Sequence, residues 1–405
     1  MLVRDIDVVE SPLASGRARL RGEVVCDDPS IPPEVYWFDI PTTHAGALDA
    51  TGNPWLVLLA PLAVHLGEPL RVPKPVDRDL LANINEVMRI WHCWFPDLRP
   101  VSVVADELVA EPESDIGLTA SMFSGGVDAW FTLLANNGSA RLPGWRKIDE
   151  LLCVWGFDVS LEQPGEFRRM RDTLAQSTAG LAALVDVATN LHETQWWKRA
   201  DWGHVAHGCG LASIALAFGN RYSRVLIPSS HRYDDPSPWG SHPLTDPLLS
   251  TRRTRIIHDG SGYSRVDKTA AIAESDAALQ SLQVCWETKS FNNCGACVKC
   301  YRTMATLHLL GALGRCPRFL PDAFDPARLS RVFSQRESER VLMREVRELA
   351  LQRHQPEVAR AIERSFPVSR RAAAALRYTR VLASVPLLWR LRDPLEHALR
   401  SQLIM

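Results

Sequence analysis

The chain has 405 residues, a formal net charge of -1 and a charged fraction of 23%. This length allows a large core and two or three domains. The near-neutral charge provides no overall attraction to nucleic acid or to anionic membranes. No apolar run approaches the roughly 20 residues that span a bilayer, and the first residues lack the apolar core of a secretion signal. We therefore expect a cytoplasmic globular protein without a transmembrane segment.

Residues 1–115 have a mixed pattern that predicts a small N-terminal α+β module. Residues 17–26 and 34–40 alternate apolar and polar side chains, as half-buried strands do. Residues 55–66 and 79–94 have the apolar spacing of helices. The four tryptophans of this region could line a substrate pocket, although such residues more often belong to the core.

Strand and helix patterns alternate from residue 118 onward, which favours a parallel sheet with helices on both faces. We assign residues 116–280 to this α/β domain. The predicted strands are 118–124, 148–157, 186–190, 224–228 and 255–259. One predicted helix follows the first strand and ends at residue 136, and three others span 167–185, 207–218 and 264–274. Ligands in such sheets bind at the carboxyl ends of the strands, and those ends carry residues 124–126, 156–158 and 229–231.

The first of these strands ends in the run Ser124-Gly125-Gly126-Val127-Asp128, directly before a helical pattern. Backbone N–H groups and the positive dipole end at a helix N-terminus attract phosphate, and glycines let the backbone approach the anion. The serine adds a hydroxyl donor, and the aspartate can hold a metal ion or a backbone amide. An ordinary strand–helix turn capped by serine is the alternative interpretation.

Four cysteines within sixteen residues form a second motif, in a predicted element spanning residues 281–315. They are Cys285, Cys294, Cys297 and Cys300. Four thiolates at short spacing in an intracellular chain are typical of a structural zinc site, and an iron–sulfur cluster is the competing interpretation. Since sulfur occupies all four positions, we expect the metal to be structural rather than catalytic.

Together the two motifs resemble the PP-loop ATP pyrophosphatases, whose phosphate loop usually reads Ser-Gly-Gly-x-Asp-Ser. The cysteine spacing is similar to that of the zinc-containing 7-cyano-7-deazaguanine synthases in this superfamily. The resemblance covers roughly residues 115–310 and implies a HUP-like adenine-nucleotide-binding fold. It also implies cleavage of ATP between the α- and β-phosphates, with Lys268 at the position of a phosphate-contacting lysine. A solvated helical lysine is the alternative for that residue on its own.

The sequence departs from the family pattern in three places. Ala129 replaces the last serine of the loop and removes one hydroxyl from the phosphate site. The polar loop of residues 229–247 replaces the substrate segment of the synthases. The predicted helical C-terminal region, 316–405, is basic in its last part, where residues 331–405 carry fifteen arginines and eight acidic residues. We expect a helical cap there, with an RNA-facing or membrane-surface helix as the alternative.

These observations predict an ATP-dependent, AMP-forming ligase that uses ATP, Mg²⁺ and Zn²⁺. It would adenylate a carboxylate or amide oxygen of a small molecule, release pyrophosphate, and form an amide or nitrile with ammonia or an amine. The loop residues and Lys268 would bind the phosphates, and Gly156 and Phe157 would lie near adenine. The candidates for the acceptor site are His231, Arg232, Asp234 and Asp246.

Two alternative functions stay open. The first is sulfur transfer to a small molecule or a tRNA base, with Cys153 or Cys209 as the sulfur carrier. The second is a non-catalytic nucleotide- or RNA-binding protein, which Ala129 favours. Nucleic acid is thus a possible partner that the sequence does not favour. The sequence is also compatible with a homodimer.

Overall fold

The structure is a computed structural model. It describes residues 1–110, 117–138, 147–235, 237–288, 290–320, 323–334 and 337–383, together with Leu403. The described chain divides into two compact units. The first comprises Met1–Ser124 and Asp128–Gly262, and the second comprises Gly125–Val127 and the described residues from Tyr263 onward.

The first unit is built on one ten-stranded sheet. The strand order is β10-β9-β6-β7-β8-β3-β2-β1-β4-β5. The strands are β1 (Leu2–Glu10), β2 (Arg17–Val25), β3 (Glu34–Pro41), β4 (Leu70–Asp77), β5 (Val103–Val109), β6 (Leu118–Met122), β7 (Glu150–Trp155), β8 (Ala183–Thr189), β9 (Tyr222–Pro228) and β10 (Arg255–Asp259).

Most neighbouring strands are parallel. Strands β10, β9, β6, β7 and β8 pair in parallel, as do β1, β4 and β5. The antiparallel pairs β1–β2, β2–β3 and β3–β8 join these two groups, with Phe38 opposite Thr189 at the joint. The predicted α/β class, with a large and mostly parallel sheet flanked by helices, is confirmed. The residues predicted to form an N-terminal module contribute five strands to this same sheet.

Six helices begin within or beside this sheet. They are α1 (Asn53–Leu66), α2 (Arg78–Trp94), α3 (Val127–Asn137), α4 (Pro164–Ser177), α5 (Gln195–Arg199) and α6 (His207–Ala217). Helices α1 and α6 pack against each other in the core, and α1 is apolar and buried almost all round. The side chain of Asp77 caps α2 by accepting hydrogen bonds from the backbone amides of Asp79 and Leu80, an arrangement that satisfies donors at a helix start.

Some predicted boundaries are wrong. The predicted helix 167–185 ends at Ser177 in the structure, and β8 begins at Ala183. Gly180 lies between them with a φ of +81°, in the left-handed region that glycine adopts readily and that ends a helix. Strands β1 and β4 were not predicted, because neither has a clean alternation of apolar and polar side chains.

The second unit is mainly helical. Its helices are α7 (Arg265–Ala273), α8 (Asp276–Ser281), α9 (Val298–Leu309), α10 (Glu337–Gln352) and α11 (Pro356–Ala383). Helix α10 packs against α11, α9 and α7. The predicted helical character of the C-terminal region is thus confirmed for the residues described there. The alternative of an RNA-facing or membrane-surface helix concerns residues 370–392, of which 384–392 lie outside the described residues. Among the described helices, none has the length and apolarity needed to cross a membrane.

Candidate functional site

The parallel part of the sheet reverses its strand order at β6. From β6 the chain proceeds outward through β7 to β8, then returns to the other side of β6 to form β9 and β10. This is the doubly wound order in which ligands bind at the carboxyl edge, beside the strand where the order reverses. The chain segments that follow β6 and β9 therefore leave the sheet next to each other at the expected ligand-binding edge.

The glycine run follows β6 at this edge. Ser124 is exposed, and Gly125 has a φ of +75°, a conformation that favours glycine. Helix α3 begins at Val127, so Asp128 lies in its first turn. The Phe123 backbone amide donates to the carbonyl oxygen of Leu152 at 2.9 Å, which extends the β6–β7 ladder to the edge of the run. The predicted strand–turn–helix junction is present.

The carboxylate of Asp128 contacts the segment that follows β9. The Ser230 hydroxyl donates to Asp128 Oδ2 at 3.3 Å. One helical turn along α3, the Thr132 hydroxyl donates to Oδ2 of Asp259, the last residue of β10, at 2.7 Å. Asp259 in turn accepts a hydrogen bond at its carbonyl oxygen from the amide of Ser229. Asp128 and Asp259 thus provide two carboxylates at the strand ends.

The sequence prediction missed Asp259 as a site residue and included Ser230 only within residues 229–231, at the end of a predicted strand. The strand pattern could have indicated both, because Ser230 lies two residues after the end of β9 and Asp259 is the last residue of β10. Ligand-binding residues of a doubly wound sheet collect at such strand ends. Neither belongs to a recognisable motif, so only the strand order shows that they lie beside the glycine run.

Gly156 directly follows β7 and is held against β8. Its φ is +105°, and a Cβ atom built there would lie 2.0 Å from the carbonyl oxygen of Thr189. No other residue type fits this position without a shift of the backbone. The next residue, Phe157, is half-buried and stacks on His192, with ring centroids 4.5 Å apart. Both predicted adenine-site residues therefore lie at the carboxyl edge of the sheet.

Phe157 contacts one group of rings in the first unit, and His204, Trp239 and His231 form a second group; we call the two groups together the aromatic cluster. The aromatic cluster includes a π-helical turn that begins at Trp202, a backbone form often found at functional sites. Its half-buried members are Phe157, His192, Trp197, Trp202, His204, His207, His231 and Trp239. Centroid distances between neighbouring rings run from 3.8 to 6.0 Å. The cluster places aromatic and imidazole rings on the chain segments that follow β7, β8 and β9.

The four predicted acceptor-site residues differ in their environments. His231 is partly buried beside Trp239 and lies 3.7 Å from a carboxylate oxygen of Asp235. Arg232 and Asp234 form an exposed ion pair with 2.6 Å between the charged atoms. All three therefore lie on the partly exposed loop that follows β9.

Asp246 is buried inside the first unit. Its carboxylate accepts hydrogen bonds from the Ser241 hydroxyl at 2.6 Å and from the His242 amide at 3.2 Å, and lies 2.7 Å from His258 Nδ1. These partners saturate much of the carboxylate, because a carboxylate has about four acceptor positions. The structure therefore gives Asp246 a supporting role for the loop, beneath the exposed residues.

Lys268 lies on α7 in the second unit and is only 1% exposed. The alternative interpretation as a solvated helical lysine is therefore wrong. A buried ammonium group is costly unless other groups compensate its charge. The Ser264–Asp267 capping box fixes the start of this helix and hence the position of the lysine one turn inside it.

The four clustered cysteines come together in the second unit. All four sulfur atoms lie within 4.8 Å of one another. The Sγ atoms of Cys285 and Cys297 are 3.9 Å apart, and those of Cys294 and Cys300 are 3.8 Å apart. The prediction that these residues can form one metal site is confirmed.

The electrostatics of this site favour a cation. A hydrogen bond from the Cys300 thiol is the main cause that lowers the pKa of Cys297 to about 5, whereas burial raises the pKa of Cys294 to about 11. The pKa of Cys300 also rises, since its proton is shared with the neighbouring Cys297 thiolate. A bound metal ion would let all four sulfurs ionise, because cysteine binds a metal as the thiolate.

The other cysteines named as chemical candidates lie in the core. Cys153 in β7 is 0% exposed and Cys209 in α6 is 1% exposed. Burial is the largest cause that raises the pKa of each thiol. Because the thiolate is the reactive form, both are unreactive in this structure.

We compared the chain with protein-family models, with curated proteins and with solved structures, and none of these comparisons found a match. The functional interpretation of the candidate site is therefore based on the geometry of its own residues.

Proposed function

We propose that this protein is an ATP-dependent enzyme that adenylates a carboxylate or amide oxygen of a small molecule and releases pyrophosphate. The observation that carries this proposal is the location of residues 124–128. They form a glycine-containing strand–helix junction on β6, the strand at which the doubly wound order reverses. This position supports the binding of an anionic nucleotide, and it supports a HUP-like adenine-nucleotide-binding fold.

The proposed chemistry assigns roles to the glycine run, to two carboxylates and to Lys268. The backbone amides of the glycine run, with Ser124, would bind the phosphates, while Asp128 and Asp259 would hold Mg²⁺. An oxygen of the substrate attacks the α-phosphorus, the bond to the β-phosphate oxygen breaks, and pyrophosphate leaves. Lys268 would offset the charge of the pyrophosphate. Ammonia or an amine then attacks the adenylated carbon and displaces AMP.

The aromatic cluster is our proposed contact surface for adenine and the acceptor substrate. Phe157 and His192 stack with an angle of 21° between their ring planes. Phe157 follows β7, which pairs with β6, and His192 follows β8, which pairs with β7. Planar rings stack well on such faces. Among the four predicted acceptor residues, His231 is the best placed, since it is partly buried and adjoins Trp239.

For the four-cysteine site we propose zinc rather than an iron–sulfur cluster. Four thiolates at about 2.3 Å from one tetrahedral ion lie about 3.8 Å apart, and the two closest sulfur pairs are 3.8 and 3.9 Å apart. An iron–sulfur cluster distributes its thiolates over several iron atoms and needs a wider arrangement. Zinc would supply structural cross-linking here, because no coordination position is left for a substrate.

Sulfur transfer is a weaker proposal, since Cys153 and Cys209 are buried thiols with raised pKa values. Nucleotide binding without turnover is the second candidate function. It is favoured by Ala129, which is 4% exposed and takes the position of the hydroxyl residue of the family pattern. The backbone N–H groups of the glycine run would bind the phosphates in either candidate function.

Pyrophosphate release tests the main proposal. The full-length protein is incubated with ATP, Mg²⁺ and a metabolite pool, and pyrophosphate is measured. We expect Asp128→Asn to lower the rate about 100-fold, the scale of lost transition-state stabilisation by one group. Asp172→Asn, a change at an exposed aspartate of α4, is the matched control and should leave the rate unchanged.

Equilibrium binding of a non-hydrolysable ATP analogue separates the two candidate functions. Binding without pyrophosphate release from any pool would support the non-catalytic function. Absence of both binding and release would contradict both.

Metal analysis tests the cysteine site. We expect about one zinc per chain in the wild type and a loss of more than half in Cys297→Ser, since three ligands bind zinc less tightly than four. Cys93→Ser, which changes an exposed cysteine outside the cluster, should keep the metal. Less than about half an equivalent of any metal in the wild type would contradict a four-thiolate site.

A further inference from the structure

The glycine run and the cysteine element meet through one backbone hydrogen bond in the second unit. The amide of Gln283 donates to the carbonyl oxygen of Gly125 at 2.9 Å. Gln283 is 4% exposed and lies two residues before the first cysteine of the site, Cys285. The geometry of the glycine run thus depends on a segment that enters the four-cysteine site.

The side chain of Gln283 binds the cysteine element itself. Its Nε2 atom lies 3.1 Å from the carbonyl oxygen of Cys285, 3.2 Å from that of Asn292 and 3.5 Å from that of Ser290. Its Oε1 atom accepts a hydrogen bond from Arg318 at 3.2 Å. One residue therefore contacts both the glycine run, through its backbone, and the turn between the first two cysteines, through its side chain.

Asn293 completes this connection. Its Oδ1 atom accepts hydrogen bonds from the amides of Val284 at 2.9 Å and Cys285 at 3.2 Å, and its Nδ2 atom donates to the carbonyl oxygen of Leu282 at 2.9 Å. The next residue is the ligand candidate Cys294. Residues 282–285 are thus hydrogen-bonded to the residue that directly precedes the second cysteine of the site.

The hydrogen bond to Gly125 also determines the direction of a donor in the glycine run. The carbonyl of Gly125 and the N–H of Gly126 belong to one planar trans peptide, so they point in opposite directions. A hydrogen bond that fixes the carbonyl therefore fixes the N–H. In the proposed function this N–H is one of the phosphate donors, and preorganised donors bind anions better than donors that must first be ordered.

We infer that Gln283 is a positioning residue through which metal binding at the four cysteines orders the glycine run and strengthens nucleotide binding. A metal ion fixes Cys285 and Cys294, the two residues that flank the turn held by Gln283 and Asn293. The fixed turn holds the Gln283 amide against Gly125. The nucleotide part of this inference rests on the proposed function, whereas the ordering of the run by metal does not.

Hydrogen exchange tests the ordering without any nucleotide. Exchange is compared between zinc-loaded full-length protein and the same protein after chelation. We expect exchange at the Gln283 amide, and in peptides that cover residues 123–128, to rise about tenfold on zinc removal, because an amide exchanges through local opening. Peptides covering Tyr222–Pro228 serve as the control for global unfolding and should not change. An increase confined to residues 285–300 would overturn the inference.

The coupling is then measured as the ratio of nucleotide affinities with and without zinc. For the wild type we expect about a tenfold ratio, within the usual range of allosteric coupling. Gln283→Ala should bring this ratio close to one, because it removes the contacts with the turn while both sites remain. The matched control is Gln280→Ala, at an exposed glutamine three residues earlier, and it should keep the ratio.

The outcomes distinguish the inference from the proposed function. A Gln283→Ala variant that lowers nucleotide affinity equally with and without zinc would have only a structural role, and the inference would be wrong. If no nucleotide binds to any form but zinc removal still loosens residues 123–128, the proposed function fails and the ordering stands. Zinc titrations with and without nucleotide must show the reciprocal change in zinc affinity, since linkage requires nucleotide to raise that affinity by the same factor.

Discussion

Replacement of Gly156 by alanine should destabilise the first unit severely. The new Cβ would lie 2.0 Å from the Thr189 carbonyl oxygen, and the backbone φ of +105° is one that alanine rarely adopts. Thr189 has little freedom to move, because its backbone pairs with Phe38 and its hydroxyl donates to the Trp37 carbonyl oxygen at 2.8 Å. The clash must therefore be relieved by displacing β7 and β8 at the strand ends of the proposed site.

The magnitude follows from two separate terms. Holding a non-glycine residue in such a backbone conformation costs about 1–3 kcal/mol. Overpacking against a rigid neighbour costs about another 1–3 kcal/mol. We therefore expect Gly156→Ala to lower the free energy of unfolding by about 2–6 kcal/mol, a large fraction of the usual stability of a folded protein.

Two other glycines separate these terms in the same assay, urea unfolding monitored by tryptophan fluorescence. Gly180 has a φ of +81°, and a Cβ atom at this position would have no atom within 4 Å, so Gly180→Ala should show only the backbone cost, about 1 kcal/mol. Gly165 has neither feature and lies in the first turn of α4, so Gly165→Ala should be neutral or slightly stabilising. If Gly156→Ala were no worse than Gly180→Ala, the close approach to Thr189 would not be rigid.

Three further predictions follow from buried polar groups and thiols. Burial opposes ionisation of Glu150, but hydrogen bonds from Arg221 and Tyr222 lower its pKa overall. The ionised Glu150 therefore stabilises the folded state at neutral pH, and this stabilisation is lost as the pH falls through the folded-state pKa. Glu150→Gln should therefore lower the free energy of unfolding by about 1–3 kcal/mol at pH 7, with a smaller difference from wild type near pH 3, as measured by denaturation at both pH values. Asp246→Asn should cost about 1–3 kcal/mol in the same assay because it weakens three contacts of a buried carboxylate, and equal stability would show that those contacts are dispensable. Cys153→Ala and Cys209→Ala should leave the rate of ATP turnover within about twofold of wild type, since a buried thiol cannot act as a nucleophile; loss of turnover in either variant, with the fold intact, would revive sulfur transfer.

The helices and strands whose patterns are strong were predictable from the sequence. The alternation in residues 17–26 and the helical spacing in 79–94 reappear as β2 and α2 with ends shifted by one residue. Such patterns are local consequences of side-chain periodicity. Where the pattern is weak, as in β1 and β4, prediction failed because those strands are specified by their pairing partners rather than by their own alternation.

The two motifs could be recognised from the amino-acid sequence alone. A glycine run between a strand and a helix, and four thiols at short spacing, are properties of contiguous residues, so their geometry follows from the chain close by. The structure then showed that the four sulfurs can surround one ion.

The distant residues that support these motifs could be identified only in the folded chain. Residues 1–110 contribute strands to the same sheet as the α/β core, since β3 pairs with β8 across about 150 positions of sequence. Asp246 is a buried support rather than an exposed contact, because the loop folds back onto it. The bond from Gln283 to Gly125 joins the two motifs. Contacts between residues far apart along the chain leave no local pattern, so they emerge only when the chain is folded.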